Sequence, residues 1–428
     1  MNSLTANQAK IVAGLKKRHR AEKRFRWIGL FAISVGLVFI AVLFTSVIQI
    51  GFTAFTQTMV QLDVFIDPDV IDPKGTKEAS VIAKGDFRSI TRTALFSTFP
   101  DVKSRRNKRQ LHKILSSGAE FQIREKVLED PSLIGKSIPI WVTASDDLDM
   151  IVKGKTKRDA SAQTRRLSEK QMGWFLALES QGKIEAQFNS TFFVGGDSRE
   201  PELAGIAVAL AGSVFSILVC LFFAVPFGLM AAVYLEEFAP KNRWTTILEV
   251  NINNLAAVPS IVFGLLGLAV FLNVFEFPRS TPLVGGMVLA LMTLPTIIIT
   301  GRSALMAVPP SIREAALAIG ASPVQTVFHH VLPLAMPGVL TGTIIGTARA
   351  LGETAPLLMV GMVAFIVDLP NSVTAPATAL PVQIFLWADQ PERSFEERTA
   401  AAIIVLLIFI CLMNLVAVLL RKKFETRW

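Results

Sequence analysis

Six long apolar runs limit what this chain can fold into more than any other feature: Trp27–Ile50, Ala204–Tyr234, Asn254–Phe275, Pro282–Thr300, Leu334–Ile366 and Thr399–Leu420. Each is near or above the roughly 20 residues that a helix needs to cross the hydrocarbon of a bilayer. Five of the six lie after residue 203, and a polar stretch, residues 51–202, separates them from the first. At 51% hydrophobic residues and a mean hydropathy of +0.49, the chain is too apolar for a soluble protein. The pattern predicts a mainly α, polytopic membrane protein: a basic tail (1–26), helix 1 (27–50), an inserted α+β domain (51–202) and a five-helix remainder (203–428).

Charge sets the expected orientation. Residues 1–26 carry eight Lys/Arg (Lys10, Lys16, Lys17, Arg18, Arg20, Lys23, Arg24, Arg26) against one acid, Glu22. The tail after Leu420 has Arg421, Lys422, Lys423 and Arg427. Basic short flanks stay in the cytoplasm, so both termini are expected there, which an even number of spans allows. The loop Asp368–Arg398, with five acids and two arginines, falls on the opposite side. The first run has 24 residues and no small-residue cleavage site behind it, which favours a retained anchor over a signal peptide. Cys220 and Cys411 both fall inside expected spans and are read as small packing residues.

The net charge of +9, with "KSRRNKR" (103–109) and "KGKTKR" (153–158), invites a nucleic-acid reading. The odd–even count puts those segments outside the cytoplasm, and the 23 basic and 21 acidic residues of 51–202 nearly cancel. A solvated face explains them, and no nucleic acid is expected. Within this domain "TMVQLDVFI" alternates Thr58, Val60, Leu62, Val64 and Ile66 on one face, and "IPIWVT" and "KIEAQFN" also read as strands. "RNKRQLHKIL" reads as a helix ending near Gly118, and Ser168 with Gln171 forms a capping-box spacing before a helix that closes at Gly182. "DPSLIGKS" (130–137) ends like a phosphate-binding loop, but Asp130 stands where the first glycine is needed, and an acid there repels phosphate. No metal-ligand cluster is visible.

In the apolar half, Pro226, Pro259, Pro295, Gly352 and Pro356 interrupt the runs, as in transporters, where broken helices face protein or water. Between the fourth and fifth runs lies "PPSIREAALAIGASPVQTVFHHVLPLAMPG" (309–338). Ser311 is expected to cap a helix with Glu314 as its capping-box partner, Gly320 to end it in a left-handed turn, and Ser322 with Pro323 to start a second helix.

This loop resembles the EAA loop of ABC-importer permeases, with Glu314, Ala315, Ala316, Gly320, Leu332 and Pro333 at the family's spacing; His330 departs from the usual aliphatic residue. The resemblance implies a type I importer permease fold, a bacterial inner-membrane location, and docking of the short helix on a separate ATPase. Capping alone would also account for Glu314, and the two roles are compatible. With "ARALGETAPLL" (348–358) and "LPTIIITGRSAL" (294–305), the region from about 200 to 420 looks most like the PstA-type permeases of phosphate importers. That likeness implies a PstC-like second permease, two PstB-like ATPases that hold ATP and magnesium, and a PstS-like periplasmic binding protein. No cofactor and no catalytic residue are expected on this chain.

It also implies that Arg349 lies on the phosphate path, with Glu353 beside it. An arginine deep in a span costs roughly 2.5 to 3.5 kcal/mol and so needs a partner, a wet cavity or a task. Its planar fork of donors matches a tetrahedral oxyanion. Glu353, four residues on, is expected on the same helical face; a purely structural pair of the two is the competing reading. Arg302 is a weaker path candidate, and Arg302 and Arg313 are both explained by snorkelling near the cytoplasmic boundary. Gly338, Gly342 and Gly346 form a small-residue stripe for close helix packing. A permease for another oxyanion or a polar solute, and a non-transporting sensor, stay open at this stage.

Overall fold

The computed structural model describes residues 2–159 and 161–424. Arg427, counted above in the basic tail, lies outside the described residues, and Lys10, Lys16 and Lys17 are described as backbone only. Residues up to Ile50 form one compact unit and Gly51–Trp428 another. The first unit is helix α1 (Asn2–Gly51), in which Glu22 and Arg26 pair at 3.5 Å below an apolar stretch exposed on all sides.

In the second unit, strand β1 (Thr56–Phe65) leads to helices α2 (Phe87–Thr98), α3 (Arg105–His112) and α4 (Ala119–Glu129). Then come β2 (Ser137–Thr143), α5 (Asp146–Val152), α6 (Glu169–Ser180), β3 (Ile184–Phe188) and α7 (Ser190–Val194). The sheet order is β2-β1-β3, antiparallel throughout, with Leu62 opposite Ile140 and Thr58 opposite Ala186. Alternation decides which face is buried: Val60, Leu62 and Val64 are fully buried against Leu95, Ile123 and Phe175. Each such side chain contributes about 1.5 to 3 kcal/mol by leaving water. Pro139 is tolerated because β2 is an edge strand. The sheet is only three strands, and β3 buries little, so most of this module is helical. Ser168 and Gln171 do form the capping box of α6, and Gly182 closes its end with φ +68°. The helix read from Arg106 to near Gly118 stops earlier, at His112. Asp130 accepts a hydrogen bond from the Ser132 N–H at 3.0 Å, as a turn cap and not a phosphate loop.

Four helices of the apolar half are long enough to cross a membrane: α8 (Ala207–Val233), which continues through a π-helical turn to Phe238, α11 (Pro282–Met306), α13 (Leu332–Leu351) and α16 (Ser394–Phe424). With α1 this makes five candidate spans among the described residues. The expected third span, 254–275, is not one helix. Helix α9 (Arg243–Ala256) and helix α10 (Ser260–Gly267) with its π-helical extension to Leu272 meet at 101°, and together they count at most as one broken span. Pro259 keeps the residue before it out of helical geometry, which breaks the run there. The expected fifth span, 334–366, likewise ends at Leu351; Gly352 caps it, and a short helix, α14 (Ala355–Met359), follows. Between the fifth and last spans, α12 (Pro310–Ala318) being described below, lies helix α15 (Leu380–Ala388).

The glycine stripe of α13 lies on α11. A Cβ on Gly338 would meet Ala304, one on Gly346 would meet Thr293, and one on Gly342 would overlap the Thr300 hydroxyl. The packing is therefore within the chain. Gly342→Ala is expected to cost about 1 to 3 kcal/mol from overpacking. Thermal unfolding of the purified protein should show the loss, and adding Thr300→Ala, which removes the hydroxyl, should recover part of it.

The module is fastened to the first turn of α16 by buried polar groups. The Lys153 ammonium sits 2.7 Å from Asp149 and 2.5 Å from Glu397, all three side chains being less than a tenth exposed. Glu397 also accepts from Thr53 (2.7 Å), and Asp149 from the Thr58 N–H (2.9 Å). Arg398, fully buried, donates to the Ala54 carbonyl and stacks on Phe192. Close by, burial pushes the Glu202 carboxyl up to about 7. Because the folded state holds that proton more tightly than the unfolded chain, stability is expected to fall as pH rises from about 4.5 to about 7, by roughly 3 kcal/mol. Glu202→Gln should flatten that part of the profile of melting temperature against pH.

Candidate translocation path and coupling site

Residues 309–338 form a short helix, a sharp turn and a second helix. Helix α12 begins with Pro309 as N-cap and Pro310 at its first position, and no side chain caps it. This corrects the expected Ser311–Glu314 capping box. Pro310, with φ already helical and no N–H to satisfy, takes the first position and moves Ser311 inside the helix. Glu314 and Ala315 are left exposed and Ala316 is buried. Gly320 adopts φ +91°, a left-handed conformation that stops the helix, and Ser322 with Gln325 caps the next one, with Pro323 at its first position. A π-helical turn, Thr326–Val331, carries exposed His329 and His330 into α13, which starts at Leu332 and Pro333. Leu317 and Ile319 project from the tip, Ile319 being 80% exposed.

One arginine braces this loop. Arg313 donates to both Glu237 oxygens (3.1 and 2.6 Å) and to the carbonyls of Val308 (2.8 Å) and Leu305 (2.9 Å), so α12 is clamped to the ends of α8 and α11. Snorkelling had accounted for Arg313 from the sequence; the clamp was missed because its partner lies 76 residues away. The acidic pair Glu236–Glu237 at the end of a span was the available signal. Arg313→Ala should cost about 2 kcal/mol locally, as expected when charge-assisted bonds are lost from a partly buried site. It should also raise protease cleavage within 309–325, compared with the parent protein under the same limited digestion.

Arg302 is likewise held by acids, Glu249 at 2.9 Å and Glu236 at 3.4 Å. These groups line an open cavity of about 890 Å³ with Lys241 and Arg243. Arg349 lies elsewhere. It occupies the last turn of α13, one turn beyond Gly346, which touches Thr293 near the middle of the 25-residue α11. Glu353 is not on the same helical face, because the helix has ended; it returns from the following turn to within 3.6 Å of Arg349. The Arg349 side chain is 49% exposed and that of Glu353 20%. The structure therefore separates the expected arginines: Arg349 stands one turn beyond the Gly346–Thr293 contact and, among the described residues, its one ion pair is with Glu353 at 3.6 Å, whereas Arg302 is locked toward the far end of α11. Among the described residues, no group of three or more His, Cys, Asp or Glu could hold a metal ion.

Residues 224–428 match the family described as binding-protein-dependent transport system inner membrane component, and residues 12–162 match a domain of unknown function. Over 249 residues the chain is 33% identical to phosphate transport system permease protein PstA 1 of Mycobacterium tuberculosis, covering 58% of this chain and 79% of that protein. The chain belongs to the PstA permease family. PstA of Yersinia pestis is 34% identical over 226 residues, 51% of this chain and 73% of its own length. An inward-facing structure of the MetNI methionine ABC transporter aligns at a TM-score of 0.43 and 17% identity, over 51% of this chain and 97% of that one. As a PstA-family member the chain is a multi-pass inner-membrane permease subunit of an ABC importer, not itself catalytic, working with an ATPase and a substrate-binding protein.

Proposed function

We propose that this chain is one half of a heterodimeric permease that imports inorganic phosphate. The observation that carries the reading is Arg349, a half-exposed guanidinium one turn beyond the Gly346–Thr293 contact, whose one ion pair among the described residues is with Glu353 at 3.6 Å. A fixed charge with unused donors at that depth suits transient capture of a tetrahedral anion. Glu353 neutralises it between passages and yields as the anion arrives. The relatives' names, phosphate transport permeases, support the same cargo.

A PstC-like permease completes the path, PstB-like ATPases with ATP and magnesium grip Glu314, Ala315 and Gly320 on the exposed tip while buried Ala316 seats the short helix beneath them, and a PstS-like protein delivers phosphate. Both termini lie in the cytoplasm and the 51–202 module outside. Alternating access then follows from ATPase closure pulling on the Arg313 clamp. Uptake by the reconstituted complex in the presence of excess sulfate or molybdate tests the cargo: phosphate uptake should be unaffected, and equal competition by either anion would refute phosphate selectivity.

A further inference from the structure

Four phenylalanines run in contact along one edge of the module. Phe52 meets Phe55 edge-on with centroids 6.2 Å apart, Phe55 stacks on Phe193 at 5.7 Å, and Phe193 stacks on Phe188 at 5.6 Å. Phe52 and Phe188 are 66% and 69% exposed, and Phe193 and Val194 are exposed beside them. Their neighbour Phe192 turns the other way, into a buried cluster with Ala54, Trp387 and Phe395. The outward rings thus form a continuous apolar face, which soluble surfaces seldom leave bare.

Two observations fix what covers it. First, the rings sit level with the end of a membrane span: Gly51 packs directly on the backbone of Ala400 and Ala401, where the apolar stretch of α16 begins just beyond Arg398, and Phe52 comes next. The Asn189 N–H bonds the Phe55 carbonyl at 2.9 Å and Phe188 pairs with Thr56, so both ends of the sheet's aromatic edge stay close to that level. Second, residues 51–62 and 186–196 contain no Asp, Glu, Lys or Arg, although the rest of 51–202 carries 23 basic and 21 acidic residues. A face built to bind an ion or a charged partner would hold some of that charge; this one excludes it.

We propose that this phenylalanine edge is immersed in the leaflet on the module's side, with acyl chains and the lower headgroup region as its partner. Phenylalanine has no polar tip, so the rings sit below the headgroups, while the charged remainder of the module stays in water. With no basic side chain in the edge, the contact does not depend on anionic lipid. The inference rests on α16 as a membrane span and not on phosphate as cargo.

The test places p-benzoylphenylalanine at position 188 or 193 of the full chain, in the assembled complex, reconstituted in phosphatidylcholine alone or with phosphatidylglycerol. Position 39, in the apolar part of α1, is the positive control, and position 65, exposed at the far end of β1, the negative one. Lipid adducts are expected at 188 and 193 at yields like those at 39, in both lipid compositions, with loss of lipid adducts at 65. Adducts to polypeptide alone at 188 and 193, or lipid yields there no higher than at 65, would overturn the proposal. Phe188→Trp supplies a second readout: brominated acyl chains should quench its added emission, and no quenching beyond the parent's would also overturn it.

Discussion

Arg349→Ala is expected to abolish ATP-driven phosphate uptake while leaving assembly with the ATPase intact. In the proposed mechanism the half-exposed guanidinium offers paired donors to the passing anion. Losing charge-assisted bonds of that kind costs about 2 to 3 kcal/mol, or roughly 30- to 150-fold in transport rate. Arg349→Lys keeps the charge but loses the fork, so it should fall between the two. Because the side chain is half exposed and held by one contact at 3.6 Å, neither variant should change the melting temperature much. Normal uptake by the alanine variant would remove Arg349 from the mechanism, and a collapsed melting temperature would make it a structural residue.

Lys153→Met should be the most destabilising single change at the junction between the module and α16. The ammonium is buried between Asp149 and Glu397, and without it two carboxylates face each other out of water. Breaking a buried pair in this way costs about 3 to 5 kcal/mol. Replacing the whole group, Lys153→Met with Asp149→Asn and Glu397→Gln, should recover most of that loss, because no uncompensated charge then remains. Thermal unfolding and limited proteolysis of the module would read both. Equal stability of the single variant and the parent would show that the ion pairs do not fasten the module.

Local patterns were legible in the sequence wherever one side chain or one period fixes the outcome. The alternation from Thr58 to Ile66, the Ser168–Gln171 box and the left-handed turn at Gly320 all appear as read. Competition between neighbours was harder: Pro310 displaced Ser311 from the cap, and of the residues read as interruptions Pro259 marks a sharp bend while Pro226 and Pro295 sit inside continuous helices. Hydropathy reports transfer to lipid, not backbone direction, so a run of apolar residues hides its breaks. For the site, the acids Glu236 and Glu237 at the end of a span signalled that partners exist, but not which arginine each one meets. Arg302 meets Glu236 and Glu249 across 66 and 53 residues, and Lys153 meets Glu397 across 244. No local signal pairs such groups. Arg349 drew attention because a charge stands out in an apolar run, but its helix ends at Leu351 with Gly352 as the cap, which puts Glu353 in a turn and not on the helix.

The most direct measurement is accumulation of radiolabelled phosphate in proteoliposomes holding this chain with its partner permease, the ATPases and the binding protein. Accumulation that needs ATP inside the compartment where the ATPases lie, needs the binding protein on the other side, and disappears with Arg349→Ala is the predicted result. ATP hydrolysis stimulated by the binding protein with no phosphate crossing the membrane, or phosphate crossing equally well without Arg349, would contradict it.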